Sequence, residues 1–159
     1  SYNIGFTTNG VPLEDGIDLD VPADVQLMLE SGAILKFSNS RIGVGSVAPT
    51  LDVSGANLQV LGTPTLVGSN NLPARDAAGA SIPGSVFLTS VNDSSVGTGN
   101  QIGQRPSPLA GDWGGIDFRG DLDASDELRR NLEEEGIFNN HIQYAEIRFG
   151  GGGVSIGGR

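Results

Sequence analysis

The chain has no cysteine and only one residue each of lysine (Lys36), methionine (Met28), histidine (His141) and tryptophan (Trp113). Without cysteine there is no disulfide framework, and a single histidine cannot build the usual nitrogen and sulfur shell of zinc; the cellular compartment stays open on this ground. Positive charge is scarce as well. Nine basic residues against 19 acidic give a net charge of -10, the wrong sign for a nucleic-acid partner. No apolar run approaches the roughly 18–20 residues that span a bilayer, and no basic-then-apolar segment opens the chain. A transmembrane segment is therefore not expected.

What the sequence has in quantity is glycine, 25 residues in 159, with an ordinary 37% of hydrophobic residues. That combination predicts many tight turns and few long helices within one domain, residues 1–159, large enough to bury a core. The chain opens on Ser1-Tyr2-Asn3 and stops within a glycine-rich pattern at Gly157-Gly158-Arg159. It reads as a fragment of a longer chain.

The stretch Gly111-Asp112-Trp113-Gly114-Gly115-Ile116-Asp117-Phe118 organises the rest. A glycine turn runs into an alternating strand, with Ile116 and Phe118 inward and Asp117 outward. Similar alternation recurs at Ile17–Val21, Val25–Leu29, Gly32–Phe37, Ile42–Val44, Leu51–Val53, Ala56–Val60, Val86–Ser90, Ile142–Phe149 and Val154–Ile156. Gly32, Leu35 and Phe37 match Gly55, Leu58 and Val60 at an offset of 23 residues, and Ile116 and Phe118 match Ile147 and Phe149 at 31. Repeats of this size predict stacked rungs of short strands, an all-β parallel β-helix or solenoid. The 31-residue match puts Phe118 on Phe149. Between Tyr144 and Ala145 the alternation changes phase, which predicts a corner.

Two stretches interrupt the rhythm as loops, about 68–84 and about 92–110. A solenoid tolerates both, because an insertion at a turn leaves the stacked strands in register. One short helix is expected over Asp121–Gly136, with Asp123 or Ser125 as cap and Gly136 as stop.

The segments Gly111–Phe118, Ile142-Gln143-Tyr144-Ala145-Glu146-Ile147-Arg148-Phe149-Gly150-Gly151 and Val86–Ser90 resemble right-handed parallel β-helix repeat segments of large secreted bacterial surface proteins. The resemblance runs over most of the chain from about Ile17. It implies export to the cell surface or outside the cell and a multi-rung scaffold, whose partners would be further rungs of the same chain or neighbouring copies. Such segments specify a fold better than an activity.

The functional reading that follows is a non-catalytic structural or adhesive element, and the alternative is a polysaccharide-active lyase or hydrolase, or a carbohydrate-binding module. A lyase or hydrolase on this fold needs clustered carboxylates, with a basic or cation-bound partner, on one lateral face. Asp117, Arg119, Glu146 and Arg148 are the candidates, with Trp113 as a sugar-stacking ring if exposed; the competing readings are a solvated ion-pair ladder and a Trp113 that plugs the core. No catalytic residue is assigned, and His141 reads as a turn or surface residue. Calcium is the one cofactor candidate, at Asp15, Asp18 and Asp20, against the simpler reading of a solvated acidic strand face. The run Gly150–Gly153 lacks the aspartate of a calcium-binding glycine repeat and reads as a turn.

Overall fold

The computed structural model describes residues 1–5, 18–22, 25–45, 56–97, 107–119, 131, 134–135 and 140–152. Ten short strands order them: β1 (Tyr2–Ile4), β2 (Leu19–Val21), β3 (Gln26–Glu30), β4 (Ile34–Phe37), β5 (Ile42–Val44), β6 (Asn57–Leu61), β7 (Val86–Ser90), β8 (Ile116–Phe118), β9 (His141–Gln143) and β10 (Ala145–Ile147). They form three sheets, β1-β4-β7-β10, β2-β5-β8 and β3-β6-β9, and every pairing between named strands is parallel. The chain visits the three sheets in the same order three times and then returns to the first. This all-β architecture of parallel sheets is compatible with a parallel β solenoid.

Strands this short are stabilised by what they stack on, not by their own propensity. Period-2 alternation sends every second side chain inward, and in-register parallel pairing puts inward residues over one another. Leu35 pairs with Leu88, Val21 with Val44, and Leu27 and Leu29 with Leu58 and Val60. Phe37, Ile42, Leu58, Val60, Val86 and Leu88 have no exposed surface at all. Each such side chain contributes about 1.5–3 kcal/mol by leaving water.

Trp113 completes this core. The in-register neighbour of Phe37 in β7 is the small Ser90, and the indole stacks on the Phe37 ring there, centroids 4.4 Å apart and ring planes nearly parallel. Its Nε1–H donates to the Arg148 carbonyl at 2.7 Å. Glycine is required around it. The Gly111 N–H donates to the Gly150 carbonyl and the Gly152 N–H to the Trp113 carbonyl, and a Cβ on Gly152 would stand 2.0 Å from the Gly111 oxygen.

The expected corner between Tyr144 and Ala145 is present: Tyr144, at φ 44°, separates β9 in one sheet from β10 in another. Both repeat matches need correction. Ile116 pairs with Ile42, not Ile147, and Ile147 pairs with Leu88; Phe118 therefore does not stack on Phe149. Likewise Leu35 and Leu58 lie in different sheets. The 23-residue spacing does occur between paired strands, but from Leu19 to Ile42. Spacing between similar apolar residues identified strands without identifying their partners, because Val, Leu, Ile and Phe are interchangeable in such a stack.

The stretch expected as a loop at about 68–84 is also more ordered than that. Antiparallel bridges join Thr63 to Gly84, Val67 to Pro73 and Arg75 to Ser81. The N–H groups of Leu66, Ala74 and Ile82 donate to the carbonyls of Ile82, Leu66 and Ala74 respectively, so the segment satisfies its own backbone. Of the expected helix, only Asn131, Glu134 and Glu135 are described. Asn131 and Glu134 are helical, and the Glu135 N–H donates to the Asn131 carbonyl at 3.1 Å. The strands expected at Leu51–Val53 and Val154–Ile156 lie outside the described residues.

Candidate functional site

The charged residues singled out in the sequence fall into two groups on two sheets. Asp117 points outward from β8, and Arg119 follows that strand directly. In the neighbouring strand of the sheet the outward position is Gly43, and in the next it is Asp20. A Cβ on Gly43 would lie 2.2 Å from the Arg119 Cζ, so the glycine leaves a channel in which the guanidinium lies flat across the sheet.

From that channel Arg119 reaches three carboxylates. Its Nε donates to Asp117 at 3.2 Å, one terminal nitrogen to Asp20 at 2.5 Å and the other to Asp18 at 2.6 Å. Arg41 adds a second guanidinium, 2.9 Å from Asp18 and 3.4 Å from Asp117. The Arg119 side chain is 7% exposed and that of Asp18 11%, so this pair is largely desolvated, while Asp20 and Asp117 keep much of their surface in water. Burial works against the Arg119 charge, but hydrogen bonds to Asp20, Asp117 and Asp18 outweigh it and raise its already high pKa.

The second group surrounds Arg148, the residue after β10. Arg148 donates to Glu146, stands 3.5 Å from Asp93 and lies over the Phe87 ring at 5.2 Å. Its pKa is raised, chiefly by the Glu146 hydrogen bond. The Arg119 to Arg148 ladder expected from the sequence is thus replaced by two separate networks, one on each sheet.

Beneath Arg148 lies a buried polar cluster that sequence reading missed. Lys36 and Thr89 point away from the apolar interior, yet they are 1% and 0% exposed because Asp93 and its neighbours cover them. Lys36 Nζ donates to the Asp93 carbonyl at 2.7 Å. The Asp93 carboxylate accepts from Thr89 Oγ1 at 2.8 Å and from the Ser95 N–H and hydroxyl at 2.9 and 2.5 Å. Burial lowers the Lys36 pKa, opposed by the Asp93 charge. Burial alone would raise Asp93, but the hydrogen bonds from Ser95 and Thr89 and the Arg148 charge hold it below the usual aspartate range. The one available signal was an Asx-type pattern, Asp93-Ser94-Ser95, in the turn that follows β7.

Asp112 is a second missed hub, accepting from Ser90 Oγ at 2.6 Å, Asn92 Nδ2 at 3.0 Å and the Leu109 N–H at 3.1 Å. Trp113, 1% exposed, is a core residue with no face presented to a ligand. His141 sits on β9 in register with Gln59.

Of the calcium candidates, Asp18 and Asp20 hold arginine nitrogens, and Asp15 lies outside the described residues. Among the described residues no group of three or more histidine, aspartate and glutamate side chains is set to hold a metal ion, and no helix is long and apolar enough to cross a membrane.

No protein-family model, curated protein or solved structure matches this chain.

Proposed function

We propose that the chain is a segment of a right-handed parallel β-helix acting as a non-catalytic structural or adhesive element of an exported, cell-surface or extracellular assembly. The observation that supports this reading is the threefold return to the same three parallel sheets, with apolar residues stacked inside. Right-handedness follows from the strong preference of crossovers between parallel strands of one sheet. Stacked parallel strands make a stiff rod whose backbone groups are paired along its length, which suits a load-bearing or spacing role and resists proteolysis.

The polar faces fit the same role. Arg119 has committed Nε and both terminal nitrogens to carboxylates of the chain itself, so Asp18, Asp20 and Asp117 are engaged in holding strands together. Further rungs of the same chain or neighbouring copies are the partners this reading implies. The test is incubation with a panel of neutral and acidic polysaccharides, following reducing ends and the absorbance of unsaturated uronates. No product is expected. Saturating cleavage, abolished by Asp117→Asn or Glu146→Gln in folded protein, would establish the polysaccharide-active alternative.

A further inference from the structure

The two ends of the stack differ in shape and match in chemistry. All six strands at the sheet edges belong to the first or last visit to a sheet: β1, β2 and β3 at one end, β10, β8 and β9 at the other. At the second end Phe118, Ile142 and Ile147 are 46%, 41% and 50% exposed, whereas their in-register partners Val44, Val60 and Leu88 are 3%, 0% and 0% exposed. They are inward residues with nothing stacked above them among the described residues. The first end instead opens into a cavity of about 680 Å³, bordered by Tyr2, Ile4, Leu19, Leu27, Leu29 and Leu35.

We infer that the open end formed by β1, β2 and β3 of one copy receives the end formed by β10, β8 and β9 of another, head to tail. This contact rests on the solenoid reading proposed above. A second copy is the occupant favoured by the geometry, because all seven strand pairings among the described residues are parallel. Translation along the stack therefore presents three edges of matching polarity to three edges at once. In the existing register the apolar partners also match. Leu19 and Val21 meet Ile116 and Phe118, Leu29 meets Ile142, and Tyr2 of β1 meets Ile147 of β10. A partner of another architecture would have to meet three edges set around one cross-section. The two surfaces differ, so the contact is heterologous and does not close; it extends into a filament.

Sedimentation velocity of the 159-residue chain over a range of concentrations tests this. The wild-type chain is expected to form a concentration-dependent series of multiples. Tyr2→Asp blocks one end and Ile147→Asp the other; both residues are at least half exposed, and far-UV circular dichroism checks the fold. Each variant alone should stay monomeric where the wild-type chain assembles, and an equimolar mixture should give 1:1 dimers and nothing larger. Should an Asp variant not fold, Tyr2→Ser and Ile147→Ser replace the pair, with at least a tenfold rise in the concentration of half-assembly expected.

A wild-type chain that is monomeric throughout overturns the contact, as does a single variant that dimerises or a mixture that stays monomeric. Strong amide-exchange protection of Phe118, Ile142 and Ile147 in a monomer also overturns it, by placing the chain's own residues over that end. Polysaccharide cleavage would defeat the structural reading, whereas a chain that neither cleaves nor assembles defeats only the head-to-tail contact.

Discussion

Arg119 and Arg148 occupy equivalent places, each one residue beyond the last strand of its sheet and two residues after a strand carboxylate, Asp117 or Glu146. Their surroundings differ at one layer. Below Arg119 the next outward position is Gly43, and the guanidinium runs across it to Asp18 and Asp20 two strands away. Below Arg148 the neighbouring outward positions carry Phe87 and Thr89 side chains, and Arg148 turns to nearby Glu146 and to Asp93. One arginine ties three strands of a sheet; the other caps a loop. Absence of a side chain in the middle layer decides whether a surface charge becomes a buried cross-link.

The largest effect should come from beneath the second arginine. Trp113→Ala removes the ring stacked on Phe37 and the donor to the Arg148 carbonyl, and is expected to cost about 3–5 kcal/mol in urea unfolding. A loss under about 1 kcal/mol would mean that the neighbouring side chains refill the site. Next comes Arg119→Ala, which leaves Asp18 buried with Arg41 as its remaining partner. About 2–4 kcal/mol is expected, toward the lower side of a broken buried ion pair.

Gly43→Ala should follow at about 1–3 kcal/mol, since the methyl meets the end of the long Arg119 side chain rather than backbone. In an Arg119→Ala background the same substitution should be nearly silent, and a thermodynamic cycle on the four proteins measures that coupling. Arg148→Ala is expected to be mildest, about 0–1 kcal/mol, because its side chain is 33% exposed. An equal loss for the two arginines would dissolve the distinction between them.

Much of this framework was legible in the sequence. Alternation located β5 and β8 with their observed ends, and β7 as Val86–Ser90; the phase change at Tyr144 marked a corner, and the glycines beside Trp113 pointed to a core role. Partner assignment was not legible, because insertions of unequal length separate paired strands and the apolar residues carry no label for their mates. The charged face was half legible. Asp117 and Arg119 were evident as an outward pair, but the contact from Arg119 to Asp18 crosses 101 residues of sequence and depends on Gly43, a residue with no chemistry of its own. The Lys36 and Asp93 cluster escaped notice because outward strand positions are ordinarily wet, and here a turn covers them.

Unequal insertions also set an order of assembly in time. Pairing of the first and second visits to each sheet joins residues 23 to 33 apart, as in Leu19 with Ile42 and Tyr2 with Leu35. Pairing of the second and third joins residues 53 to 82 apart, from Ile34 with Phe87 to Gln59 with His141. Each doubling of a closed loop adds only about 0.6 kcal/mol to equilibrium cost, but distant pairings are slow to find one another. The first two layers should therefore nucleate folding, with β8 and β9 docking last and showing the fastest native-state amide exchange; β8 and β9 more protected than β5 and β6 would reverse that order. A molecule built this way grows from one end as it folds, and the end that forms last is the one left bearing Phe118 and Ile142.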